Sequence, residues 1–125
     1  MLQINPNEIS IKDLHQYLLS SVGPRPIALA STIDLNGVNN VSPFSFFNIF
    51  SANPPIAIFS PARRVRNNTT KDTLENIKEI SEVVINTVND EIVEKACLTS
   101  AEYPREIDEF LEAKLTAIPS KKIRP

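Results

Sequence analysis

A mainly β fold with short peripheral helices is what this 125-residue sequence predicts. Three observations carry that expectation. Short runs rich in β-branched and aromatic residues fill much of the first two thirds of the chain, turn-forming residues separate them, and helical periodicity is confined to brief segments.

Each element has its own warrant. Ser10 followed by Asp13 marks a helix start, and Leu14, Tyr17, Leu18 and Val22 recur at helical spacing, so a short helix is expected over residues 11–20. Pro24 and Pro26 forbid its continuation, and Ile27 to Ile33 reads as the first strand. In "DLNG", Asn36 and Gly37 offer the positive-φ residues of a tight hairpin, with "VNNVSPF" as the return strand. "PPIAIFS" and "SEVVINTV" supply two more strands, the latter alternating Val83, Ile85 and Thr87 on one side. "KDTLENIKEI" is helical by period, with Leu74, Ile77 and Ile80 on its inner face and Asp72 or Thr73 as its cap. "NDEIVEKACLTS" and "REIDEFLEAKL" predict two further short helices, Cys97 lying on the buried face of the first. The final "PSKKIRP" reads as a linker or a broken strand.

Composition narrows the function classes. A hydrophobic fraction of 42% and a charged fraction of 22% describe an ordinary globular chain long enough for one core, so residues 1–125 are taken as a single domain. The net charge of −2 gives no overall attraction to nucleic acid or to anionic membranes. The single cysteine excludes an internal disulfide framework and fits a reducing, cytoplasmic setting. No basic, apolar leader and no membrane-spanning apolar run is present in the sequence. With only Gly23 and Gly37, neither a dinucleotide-binding glycine fingerprint nor a phosphate-binding P-loop can be built. The lone His15 reads as a surface or packing residue, and no metal pair or catalytic triad is legible.

Two clusters remain. In "ARRVRNNTTKDT", Arg63, Arg64, Arg66 and Lys71 crowd a loop that ends at a helix start, where free backbone amides, the Thr73 hydroxyl and an ammonium can converge on a phosphate. The plainer reading is a solvated basic loop before a capped helix. In "SPFSFFNIFSANPPIAIFS", phenylalanines interleaved with Ser45 and Asn48 can line a flat pocket with polar groups at its edge. Here the plainer reading is a core strand with an aromatic hairpin end. Taken together, a phosphate grip and an aromatic slot point to a phosphorylated planar cofactor, most naturally flavin mononucleotide (FMN).

The order "VGPRPIALASTID", "NG", "SPFSFFN", "NPPIAIFSPARR" and "KDTLENI" closely resembles the flavin reductase-like family of FMN-binding split β-barrels, the flavoredoxin-like group. The resemblance runs from about Val22 to Ser120 and also takes in "PSKKIRP". It implies a Greek-key split barrel, a homodimer with FMN near the subunit interface, and electron transfer between NADH or NADPH and flavin; the alternative is a non-catalytic FMN-binding electron carrier. Carried onto this sequence, Arg25, Ser31 and Thr32 match the strand bordering the cofactor. Ser45, Phe46, Phe47 and Asn48 match the segment beside the ring, while Phe44 and Phe59 belong to the core. Arg64, Lys71, Asp72 and Thr73 match the part that holds the phosphate and ribityl end. Family members usually continue past the position matching Pro125, which implies a C-terminally truncated barrel, and they often carry glycine where this sequence has Lys114. Flavin and nicotinamide are then the small-molecule partners, with no nucleic acid and no membrane. A polyanion-binding surface is the weaker competitor, since basic residues are not dispersed over an extended face.

Overall fold

The computed structural model describes residues 3–125. Among these residues the order of elements is α1 (Ile11–Ser21), β1 (Ala28–Ile33), β2 (Asn39–Phe44), β3 (Phe47–Ala52), β4 (Pro55–Phe59), α2 (Asp72–Glu79), β5 (Val84–Thr87), α3 (Val93–Leu98) and α4 (Glu109–Glu112). Helices and strands hold nearly equal shares of the chain, so the fold is mixed α and β with antiparallel sheets, where the sequence predicted a mainly β one. None of these helices is long and apolar enough to cross a membrane.

One sheet has the order β2-β1-β5 and places β1 at its centre. Ala28, Leu29 and Ala30 suit that position because small and aliphatic side chains can be covered on both faces, and all three are buried. The register pairs Ala28 with Phe44, Ala30 with Ser42 and Thr32 with Asn40, which puts these six side chains on one face. There Ala28, Ala30 and Phe44 form an apolar cluster with Phe47, Phe59, Val83 and Ile85. The opposite face carries Leu29 and Val41, packed against Ala96, Ile92, Phe110 and Leu115.

The turn between β1 and β2 differs from a two-residue hairpin. Gly37 has φ +88°, whereas Asn36 is not in the left-handed region. The Asp34 carboxylate instead accepts the amides of Asn36 at 2.8 Å and Val38 at 2.9 Å, and Gly37 N–H donates to Asp34 C=O at 3.2 Å. This Asx-stabilised turn needs only one glycine.

The phenylalanine-rich stretch divides between two sheets. β2 ends at Phe44, the chain bends at Ser45 and Phe46, and β3 then pairs with β4 in a separate antiparallel ribbon with a bulge between Ile49 and Ser51. Its interspersed serine and asparagine hid β3 from a reading based on apolar runs, yet Phe47 on β3 and Phe59 on β4 still close over the sheet core. Ile49, Phe50, Ile56 and Ile58 remain exposed on the ribbon.

Helix phases also depart from expectation. In α3 the buried residue is Ala96, with Thr99 buried just beyond it, so Cys97 is turned about 100° away and is exposed rather than buried. In α2 the buried residues are Thr73 and Asn76, with Ile80 at the end, while Leu74 and Ile77 are only half-buried. The N-cap position is Lys71, which makes no side-chain cap. Asp72 and Thr73 are committed elsewhere, as described below. By contrast α1 has the expected start, Ser10 Oγ accepting Asp13 N–H at 3.1 Å and donating to its carboxylate at 2.6 Å. Arg25 secures the other end by donating to the carbonyls of Leu19 and Val22.

Candidate functional site

Between α1, β2, the basic loop, α2 and the turns around α4 lies a cleft of about 350 Å³. Its floor is the alternating face of β2, where Asn40, Ser42 and Phe44 grade from polar to aromatic. One wall brings Ser45 and Phe46 from the bend before β3, and the other brings Arg64, Lys71, Asp72 and Thr73. Six of the sequence-predicted site residues therefore share one cavity. The remaining five do not line it.

Those five have defined places. Thr32 is 1% exposed and sits inside the sheet, and Ser31 is buried beside it. Phe47 packs on the core cluster, and Asn48 is exposed, its side-chain oxygen accepting Ile49 N–H at 2.8 Å. Arg25 lies outside the wall with its guanidinium 5.7 Å from the Phe46 ring centroid. From there it backs an aromatic residue that does face the cleft.

At the cationic end, Lys71 is half-buried with its ammonium 5.0 Å from the centroid of the Phe44 ring. Burial holds its pKa below the usual lysine value, the Arg64 charge pushes the same way, and Glu102 opposes both. Lys71 makes no ion pair among the described residues. Arg64 is more constrained. It donates to the Thr70 carbonyl and pairs with Asp72 at 3.0 Å, so Asp72 anchors the basic loop rather than capping α2.

Beneath the floor runs a buried polar chain. Thr73 Oγ1 donates to Asn40 Oδ1 at 2.7 Å, and Thr32 Oγ1 donates to the same oxygen at 3.3 Å. Asn76 Nδ2 donates to Thr32 Oγ1 at 3.2 Å, and Arg105 donates to Asn76 Oδ1 at 3.2 Å. Asn40 Nδ2 donates to Glu109 Oε1 at 2.7 Å, and the other carboxylate oxygen accepts Val41 N–H at 3.1 Å. Every buried member has a partner, as a low-dielectric interior demands. Burial raises the Glu109 carboxyl above the usual glutamate range even though these hydrogen bonds pull it down.

Several cleft residues escaped the sequence reading. His15, assigned there to surface or packing, lies on the wall with its ring 6.1 Å from that of Phe46, edge to face. Asn40 and Glu109 left only a faint signal, a polar residue inside a strand and one carboxylate in a helix of many. Phe44, expected to be purely core, is buried against Phe59 but also forms floor beneath Lys71.

Comparison with known proteins places this architecture. Residues 20–125 match the family model described as "Flavin reductase like domain". A curated relative from Aquifex aeolicus is 41% identical over 111 residues, covering 89% of this chain and 56% of that protein. The solved structure of nitrilotriacetate monooxygenase component B from Bacillus cereus superposes with a TM-score of 0.90 at 39% identity, over 99% of this chain and 60% of that one. A Shewanella frigidimarina protein assigned as a flavin reductase with a split-barrel domain gives a TM-score of 0.77 at 28% identity, over 98% and 61%. The chain thus spans a little over half the length of the curated relative and about three fifths of the structures it matches.

Proposed function

The chain belongs to the flavin reductase-like family, and from that premise we propose that it is an FMN-dependent oxidoreductase moving electrons between NADH or NADPH and flavin. One observation carries the reading. Lys71, a half-buried cation with no ion pair among the described residues, lines the same cleft as Ser45 and Phe46. A ligand that joins a phosphate to a planar ring matches a cleft in which this cation and an aromatic wall occur together. The cleft volume lies within the roughly 300–1,000 Å³ typical of small-molecule sites.

In this reading Lys71 and Arg64 hold the phosphate and ribityl end, with Asp72 fixing Arg64 in place and Thr73, its hydroxyl given to Asn40 and not to the ligand, fixing the start of α2 beside them. Ser45 and Phe46 border the ring, and Arg25 supports Phe46 from behind. Thr32 supports the floor from within β1 through its bond to Asn40, with Ser31 beside it, and Phe47 and Asn48 continue the chain beyond the ring border into β3. Bound flavin supplies the redox chemistry, acceptance of a hydride equivalent and onward transfer of electrons. The residues of the chain bind and orient, and no side-chain acid or base is assigned. A single Greek-key split-barrel domain, a homodimer with the cofactor near its interface, and a cytoplasmic setting complete the proposal.

Visible absorbance tests it. Purified protein mixed with FMN should retain the flavin spectrum through desalting and should oxidise NADH or NADPH in a flavin-dependent manner. Protein that never takes up FMN overturns the reading. Uptake without nicotinamide oxidation faster than that of free flavin makes the protein an electron carrier instead.

A further inference from the structure

The cationic end of the cleft contains its own anion. Glu102 lines the cleft with Arg64 and Lys71. One of its carboxylate oxygens lies 2.5 Å from Arg66 and the other 4.0 Å from Arg64 Nε. Its position is set by the turns that follow α3. Thr99 is 2% exposed and its carbonyl accepts the Ser42 hydroxyl at 3.5 Å, while Ser100 and Ala101 donate backbone amides to Cys97 at 3.0 Å and Leu98 at 3.2 Å. The carboxylate is therefore delivered to the rim by ordered chain.

Arg64 shows what that carboxylate does. One terminal nitrogen of its fork is taken by the Thr70 carbonyl and the other by Asp72 at 3.0 Å. Among the described residues the Nε edge has no partner closer than Glu102, which at 4.0 Å is an ion-pair neighbour and not a hydrogen-bond acceptor. An incoming phosphate that uses Arg64 has this edge to compete for, and meets Glu102 there.

We propose that Glu102 is a specificity-determining residue: it competes with the anionic group of the ligand for the free edge of Arg64, and so makes affinity depend on ligand charge. This rests on the flavin reading above and deepens it. Displaced from Arg64, Glu102 keeps Arg66, a partner 77% exposed and outside the cleft wall, so the exchange needs only a local shift. A cleft with a built-in competitor releases a phosphorylated ligand faster than one without.

The test compares wild type with Glu102→Gln, a substitution at a side chain 48% exposed that leaves the fold intact. Titrations use FMN, riboflavin, which lacks the phosphate, and inorganic phosphate read by thermal midpoint. Removing a like charge about 4–6 Å from a phosphate near the surface should tighten FMN on the order of tenfold, mostly through slower release. Riboflavin affinity should not change, phosphate should raise the midpoint of the variant more than that of wild type, and the differences should shrink as salt rises. Equal responses of the two proteins to FMN and phosphate, including no response, overturn the proposal, as does an equal gain for riboflavin. If neither protein binds FMN while phosphate still protects the variant more, the flavin reading fails and the role of Glu102 stands.

Discussion

Thr73 donates its hydroxyl proton to Asn40 Oδ1 at 2.7 Å, joining the first turn of α2 to the floor strand β2. Both residues are buried, Thr73 to 1% exposure, and both line the cleft. The bond sets where the basic loop hands over to the helix, and hence where Lys71 stands.

Thr73→Val keeps the shape and removes that donor. The buried Asn40 oxygen is then left with the 3.3 Å bond from Thr32 alone. The expected loss is about 1–2 kcal/mol of unfolding free energy, read from urea denaturation with an unchanged m-value. A loss below a few tenths of a kcal/mol means that the floor network tolerates a missing member.

Lys71→Ala removes the cleft cation that has no ion pair among the described residues. A charge-assisted contact of about 1.5–3 kcal/mol corresponds to roughly ten- to a hundredfold in affinity, so FMN should weaken by that factor while riboflavin binds as before. Equal losses for the two ligands would assign Lys71 to packing over Phe44 and move the phosphate elsewhere.

The parts of this molecule legible in its sequence were those governed by local pattern. Ser10 and Asp13 announce α1, the alternation around Val83 and Ile85 announces β5, and the basic loop before "KDT" announces the charged wall of the cleft. What stayed hidden depends on partners distant in sequence. Asn40 is only a polar residue in a predicted strand until Thr32, Thr73 and Glu109, the last 69 positions away, satisfy it. His15 looks like a surface residue until α1 sets it beside Phe46, and Cys97 looked buried because a one-residue phase error rotates a helix by about 100°.

Lys114 marks a place where this sequence is not optimal. It has φ +52° just past Ala113, the C-cap of α4, and Leu115 N–H donates to Phe110 C=O at 2.8 Å while Lys114 N–H donates to Leu111 C=O at 3.1 Å. This paired closure of a helix end prefers glycine at the left-handed position, because a Cβ is strained there. Lys114→Gly should stabilise the protein by about 1 kcal/mol, raising the thermal midpoint by a few degrees. An unchanged or lower midpoint would mean that the exposed lysine contributes as much as the strain costs.

Glu109 makes the final prediction, and its sign is opposite to that of a carboxylate stabilised by its fold. Its folded pKa lies above the ordinary glutamate value of 4.5, so in the interval between the two the native state binds more protons than the unfolded chain. The cost of its charge is absent below the ordinary value and fully present above the folded one, so this contribution makes stability fall as pH rises through that window. Asp34 and Glu75, whose pKa values are lowered, contribute the reverse slope at lower pH, so only a difference measurement isolates Glu109. Glu109→Gln cannot titrate, although its amide must turn an N–H toward either Asn40 Nδ2 or Val41 N–H and lose one bond. Wild type should exceed the variant most at acid pH, and the gap measured by denaturation should narrow as pH rises past 4.5 toward neutrality. A gap that widens with pH would show that the two hydrogen bonds outweigh burial, and that Glu109 is held as a carboxylate at all but the lowest pH.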